Sequence, residues 1–243
     1  MIGSTWHKGF CSAVVLASLF GAITTSDASA TTIVAAQSAI ATSTFISGVG
    51  NDYSITNTLD QSGLSNGYVS GVTDFAAYIV SNPTHNSKSD GQEWFSKAGD
   101  DSGISVTYDL GNPQTIGAIV LWNEEFAGIG KTDLLGSLDG ITFVLLSTII
   151  PIDEAYAGKD TVGSYSAQIF SIAATELRYF RLTMENCLGP PTSESSYRGC
   201  GIGEIAFSAQ NNVTPVPLPG ALPLLITGLG MLALKRRRRR SLR

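Results

Sequence analysis

The chain has 243 residues, 14% of them charged, with 26 Gly, 9 Pro and a slightly positive mean hydropathy. That length holds one domain of ordinary size plus short terminal segments, and the composition excludes both a highly charged disordered chain and a coiled coil. The net charge of −5 hides a segregation: residues 31–210 carry 7 Lys and Arg against 19 Asp and Glu, whereas residues 235–243 carry seven positive charges, so nucleic acid is not an expected partner of the domain.

At the N-terminus His7 and Lys8 precede an apolar run over residues 10–23, and a small-residue stretch ends in Ala28-Ser29-Ala30. This is the order of a secretory signal peptide; the run of about 14 residues is shorter than the roughly 18 to 20 that cross a bilayer as a helix. Cleavage by signal peptidase after Ala30 is expected, giving a signal peptide over residues 1–30. Cys11 then leaves with the signal, and Cys187 and Cys200 remain in an oxidising compartment. A disulfide between them is expected, with two free thiols as the alternative.

Residues 31–41 are small and weakly polar and read as a lead segment, and residues 42–209 as the fold proper. His85 sits in a polar stretch over residues 82–89 and reads as a solvated loop histidine, with no spacing to a nucleophile. Trp94 is a candidate either for the core or for stacking on a sugar ring, and Asp100-Asp101 reads as a turn. Ile104, Val106, Tyr108 and Leu110 alternate with polar residues, a half-buried strand expected to close at Gly111-Asn112-Pro113. Residues 116–122 are apolar throughout, a strand buried on both faces that ends in a second candidate aromatic, Trp122. Glu124-Glu125 reads as an acidic loop, because adjacent residues on extended chain point apart and cannot aim together at one glycosidic bond.

Residues 134–138 and 141–146 flank Asp139-Gly140, a dipeptide suited to a tight hairpin turn. Phe180, Leu182 and Met184 alternate with polar partners. Tyr197-Arg198, in the segment between the two cysteines, is a candidate exposed contact pair. In the last strand Gly203, Ile205 and Phe207 are expected to face opposite to Ile202, Glu204 and Ala206, so that the Glu204 carboxylate points away from the core and needs a partner or solvent. Strand signals dominate throughout and no helical repeat interrupts them; the expected fold is all-β, a two-sheet sandwich.

Beyond a linker over residues 210–215, the chain reads Val216-Pro217-Leu218-Pro219, then an apolar stretch to Leu234, then Lys235 and the run Arg236 to Arg240. A helix over residues 216–234 would be about 28 Å long, just enough to span a membrane, and the basic cluster would stay cytoplasmic. This order of parts resembles the PEP-CTERM sorting signal over residues 216–243, with Leu218 standing where the family name has Glu. The resemblance implies recognition by an exosortase in a Gram-negative bacterium that makes extracellular polysaccharide. The protein would pass through an inner-membrane intermediate, be cut near Pro219 and reach the cell surface or matrix; a lasting single-pass anchor is the alternative.

A second resemblance covers about 150 residues. Glu93-Trp94-Phe95-Ser96, residues 104–111, residues 116–123, Ser137-Leu138-Asp139-Gly140-Ile141-Thr142-Phe143, residues 177–182 and residues 202–207 are similar, in this order, to the discoidin domain, the coagulation-factor type C group of the galactose-binding-like jelly rolls. It implies an eight-stranded jelly-roll β-sandwich whose end loops bind sugars, lipids or proteins. The same resemblance implies a calcium ion reached by Glu204 and held by an early loop over residues 57–65, with Asp60 as carboxylate and Ser62 or Ser65 among the oxygen donors. Residues 57–71 depart from the family's compact acidic turn. The functional expectation is an exported, non-catalytic carbohydrate-binding or adhesion module with Tyr197, Arg198, Trp94 and Trp122 as candidate contacts. The alternative is a structural matrix or biofilm protein without a small ligand.

Overall fold

A computed structural model describes residues 31–46, 53–86, 91–152, 163–187 and 197–210. The signal peptide, most of the linker and the sorting signal read from the sequence lie outside these residues. The described chain forms the strands β1 Thr31–Val34, β2 Ser38–Ala41, β3 Thr84–His85, β4 Trp94–Phe95, β5 Ile104–Asn123, β6 Lys131–Ser137, β7 Val144–Ile149, β8 Tyr165–Ser166, β9 Gln168–Glu185 and β10 Gly201–Gln210. A 3-10 turn, Ile55–Thr58, and one short helix, α1 Phe75–Val80, accompany them.

The strand that begins at Ile104 does not close at Gly111. It runs 20 residues, and its register against β9 shifts between Asp109 and Gln114. Gly111 adopts φ 82°, a left-handed conformation cheap only for glycine, and its N–H is taken by Asp109 Oδ1 at 2.7 Å. The turn residues therefore make a bulge that bends the strand rather than ending it. Strand β9 bends alongside it, with a further register shift near Ile116.

Because both long strands bend, each serves two layers. Strands β1 and β10, the second half of β5 and the first half of β9 pair in one layer; β2, the first half of β5, the second half of β9, β6 and β7 pair in the other. The rings of Tyr108 and Phe180 from the second layer meet Phe207 of the first at 6.1 and 5.2 Å. Around them Val106, Leu110, Ile119, Leu121, Leu182 and Ile205 close a buried apolar core. The architecture is an all-β jelly-roll sandwich: the strand patterning indicated the two-layer sandwich, and the discoidin resemblance implied the jelly roll.

The stretch over residues 116–122 is buried on both faces as expected. Ile119 and Leu121 enter the main core, while Val120 and Trp122 join a second cluster with Ile33, Tyr68, Tyr78, Tyr165 and Ala206. That cluster lies on the outer face of the first layer and is covered by the chain around α1. Asp74 caps the helix by accepting the Ala77 N–H at 2.8 Å.

Three expectations need correction here. Residues 31–41 are not a lead segment ahead of the fold, since β1 pairs with β10 and β2 with β5. The hairpin around Asp139-Gly140 is wider than a tight turn, because Asp139 Oδ1 accepts the N–H groups of Ile141 and Thr142, both at 2.8 Å, and spreads the loop over residues 138–143. Ile202 faces the main core with Ile205 and Phe207, not the opposite side with Glu204; a register shift between Ile202 and Glu204 reverses it. Among the described residues no helix is long and apolar enough to cross a membrane.

Candidate functional site

At the end of the sandwich where β10 begins, five aromatic side chains from four stretches of chain enclose a cavity of about 240 Å³: Phe45, Tyr53, Phe95, Phe126 and Tyr197. Backbone bonds hold the walls. Phe45 N–H donates to Phe95 O at 2.8 Å, Gly201 pairs with Phe95 in the β4–β10 ladder, and Gly201 N–H donates to Ala127 O. Tyr197 is fixed by its hydroxyl, which donates to Ser96 O at 2.7 Å. Burial raises the Tyr197 pKa above the ordinary phenol value, so the hydroxyl stays protonated.

Beneath this end, Ser96 is buried and joins three segments. Its Oγ donates to Asp100 O at 2.7 Å and accepts Cys200 N–H at 2.8 Å, and its own N–H donates to Cys200 O. Cys200 is bonded to Cys187, the expected disulfide, across 13 positions. Tyr197 therefore belongs to a segment tied down by a covalent bond and by β4. Of the candidate contacts, Tyr197 lines the cavity; Arg198 is exposed and donates from Nη1 to Tyr197 O.

Trp94 and Trp122 are not available to a ligand. Both are fully buried: Trp94 lies in the main core with Nε1 donating to Thr44 Oγ1, and Trp122 lies in the outer cluster with Nε1 donating to Pro83 O. Phe45, Tyr53, Phe95 and Phe126 were missed as candidates. Phe45, Tyr53 and Phe126 are single aromatics in polar or Gly-containing loop sequence, a weak signal that would have pointed to them.

The acidic residues read as loops and turns behave differently from expectation. Glu124 and Glu125 are buried, as is Glu93. Glu124 Oε2 accepts the N–H groups of Phe126 at 2.8 Å and Ala127 at 2.5 Å, which shapes the loop carrying Phe126, while Oε1 has no partner. Burial, then the neighbouring Glu125 charge, raises the Glu124 pKa well above the carboxylate range. His85 is likewise not a solvated loop residue. It is buried in β3, stacked on Tyr165 of β8, with Nδ1 3.0 Å from the Tyr165 hydroxyl and from Asn86 O; burial lowers its pKa.

The residues expected around a calcium ion are partly brought together. Glu204 points away from the main core as expected, but it is buried under the early loop, with Oε2 accepting Gln61 N–H at 3.0 Å and Oε1 without a partner. Burial, and next Asp60 across the loop, raise its pKa well above the carboxylate range. Asp60 Oδ1 accepts Ser62 N–H at 2.8 Å, and Gln61 and Gly63 take positive φ, so the loop folds tightly over the carboxyl. Ser65 is engaged elsewhere, its Oγ accepting Thr84 N–H at 2.9 Å. Among the described residues no three His, Cys, Asp or Glu side chains form a metal-holding group. A hard cation at Glu204 and Asp60 would draw its other oxygens from loop carbonyls and Ser62.

No protein-family model matches the chain, and no curated protein sequence does either. Among solved structures, the chain is similar to a family 32 carbohydrate-binding module from Clostridium perfringens in complex with GalNAc-β-1,3-galactose, at 17% identity and a TM-score of 0.47, covering 70% of this chain and 93% of that one. It is also similar to the family 32 module of Clostridium perfringens NanJ in complex with galactose, at 13% identity and a TM-score of 0.44, over 73% and 99% of the two chains. A third is the family 32 module of AlyQ in complex with 4,5-unsaturated mannuronic acid, at 17% identity and a TM-score of 0.43, over 72% and 97%.

Proposed function

We propose that the chain is an exported, non-catalytic carbohydrate-binding module that works at the cell surface or in an extracellular polysaccharide matrix. The observation that carries the reading is the five-ring cavity at the β10 end: a concave, ordered aromatic site built on strand ends, with Tyr197 fixed at both hydroxyl and backbone neighbourhood. Aromatic faces pack against the C–H faces of sugar rings. A catalytic role finds little support, because the Glu124 and Glu125 carboxyls are buried rather than presented in the cavity.

The test is a glycan-array screen of the chain and of Tyr197→Ala. Binding to one glycan class that Tyr197→Ala abolishes is the expected result. Absence of any glycan signal would turn the reading to a structural matrix protein.

Delivery belongs to the same proposal. The N-terminal signal and the Val216-Pro217-Leu218-Pro219 motif with its apolar stretch and Arg cluster support passage through signal peptidase and an exosortase. Mass spectrometry of surface fractions from an exosortase-bearing host is expected to find chains ending near Pro219; recovery of intact Arg243 termini overturns the sorting reading. Calcium is proposed at Glu204 and Asp60, on the strength of the unpartnered Glu204 Oε1 under the loop.

A further inference from the structure

The two layers of the sandwich are not equally wide. Among the described residues the first layer ends at the first half of β9, whereas the second continues past β9 through β6 to β7. The inner side of the β6–β7 hairpin therefore overhangs. Leu134 gives that side to the main core; two residues on, Gly136 shares its face and pairs with Val144. There the covering stops. Val144 is 63% exposed and Leu138 55%, and with Gly136, Leu146 and Thr175 they line a groove of about 370 Å³. Gly136 keeps its floor open, since a Cβ at this position would lie 3.1 Å from Leu146 Cδ1. Asp139 and Glu176 stand at the rim.

The groove opens at the end of the sandwich where the chain leaves β10. Ala209 pairs with Ile116, and Ile116 pairs with Thr175 of the groove. At about 4.8 Å between neighbouring strands, Thr175 lies roughly 10 Å from Ala209. The residues that follow β10 read Asn211-Asn212-Val213-Thr214-Pro215-Val216-Pro217-Leu218-Pro219, without a charge. A run so rich in proline favours the polyproline conformation, which rises about 3.1 Å per residue with three residues per turn. Val213, four residues past Ala209, then reaches roughly 12 Å, and Val216 falls on the same face of the turn. Proline brings no N–H that a strand partner would have to satisfy, so side chains alone can hold such a segment. Tethering sets an effective concentration in the millimolar range, at which modest apolar contacts suffice. A second copy of the chain fits less well: residues 31–210 carry 19 acidic against 7 basic side chains, so two domains repel, and Asp139 and Glu176 would face that charge.

We propose that the groove under the β6–β7 hairpin receives the chain's own segment after β10, with Val213 and Val216 seated against Leu138, Val144 and Leu146. The Val216-Pro217-Leu218-Pro219 motif is then laid against the folded domain, and an exosortase meets it only when the segment is released. That sheltering role rests on the delivery reading; the docking itself does not.

The experiment is photo-cross-linking of the detergent-solubilised full-length chain carrying p-benzoylphenylalanine in place of Thr214, with the products mapped by mass spectrometry. The expected product is a cross-link within one chain, from position 214 to residues 136–146. Val144→Asp and Leu138→Asp put a charge on the exposed lining and are each expected to lower its yield at least about fivefold while the melting temperature stays near the parent's. Val213→Asp is expected to do the same from the other side of the contact. If one variant lowers the melting temperature, the others decide. In an exosortase-bearing host, Val144→Asp is expected to raise the rate of processing near Pro219 about twofold or more, because the released segment is populated more often.

Cross-links between two copies, to detergent alone or to another part of the domain overturn the docking, as does a yield that survives all three aspartate substitutions. Any of these results beside normal processing near Pro219 leaves the delivery reading standing. The expected cross-link in a chain that keeps its Arg243 terminus at the surface supports the docking and overturns its role in sorting. Equal processing rates for the parent and Val144→Asp overturn the sheltering.

Discussion

The Tyr197 hydroxyl donates to the backbone carbonyl of Ser96 at 2.7 Å, across 101 positions of sequence. That bond locks the residue just before β10 onto the end of β4, and the Ser96 side chain continues the linkage by taking the Cys200 N–H. The cavity end of the molecule is thus organised by one small buried serine.

Ser96→Ala leaves the Cys200 N–H and the Asp100 carbonyl without their side-chain partner in a buried setting. Each loss costs about 1 to 3 kcal/mol when no water replaces it. The variant is expected to lose at least about 2 kcal/mol of stability in urea unfolding and to weaken any glycan binding at the cavity, because the Ser96 backbone carbonyl that takes the Tyr197 hydroxyl is held less firmly. Unfolding midpoints equal to those of the parent would remove Ser96 from this role.

Reduction of the Cys187–Cys200 bridge frees a closed segment of 13 positions. A loop of that size accounts for about 3 kcal/mol by the chain-entropy estimate, or roughly 10 °C in melting temperature for a domain of this length. Thermal melts with and without reductant measure it. Unchanged melts would place the stability of this end in the strand pairing alone.

Glu204 yields a prediction whose sign is set by its raised pKa. The folded state keeps the proton at pH values where the unfolded carboxyl, near 4.3, has lost it. Stability from this group is therefore complete below the unfolded pKa and falls as pH rises toward the folded value. Without calcium the protein is expected to melt lower at pH 8 than at pH 5. Glu204→Gln should lessen that slope and leave the part due to Glu124, whose pKa is raised for the same first reason. Millimolar calcium, if Glu204 and Asp60 hold it, raises the melting temperature at pH 8 and does little for Glu204→Gln. Identical melts in chelator and in calcium overturn the metal site.

Gly111→Ala tests the bulge. A side chain at φ 82° costs about 1 to 2 kcal/mol, and the new Cβ would also collide with the side chain of Gln37. The variant is expected to lose at least that much stability while the oligosaccharide affinity of the folded fraction stays near the parent's, since the bulge is not part of the cavity. A stability equal to the parent's would show that the bend does not depend on the glycine.

What could be read in the sequence divides along a physical line. Ile104 to Leu110 and Phe180 to Met184 announce themselves because a strand with one covered face alternates residue by residue, whatever the rest of the chain does. The bend at Gly111 is less readable, since Gly-Asn-Pro signals a departure from regular pairing but not whether the chain turns back or goes on. The four-residue strands β1 and β2 are too short to show a period, and β1 finds its partner more than 170 positions away. Glu93, Glu124 and Glu204 look like surface residues because their burial comes from covering loops distant in sequence. Tyr197 could be singled out from its place between two cysteines. Phe45, Tyr53, Phe95 and Phe126 become a site only once four strand ends and loops converge.

Strand β10 also sets a direction. Its last residue, Gln210, pairs with Thr31, so the two ends of the described sandwich lie side by side. Its first residue, Gly201, pairs with Phe95, a wall of the aromatic cavity. Ten residues of strand separate the two, about 30 Å at some 3.3 Å per residue. Whatever holds the chain by either terminus, the cavity is carried on the far side of the molecule, as a hook is carried on its shank.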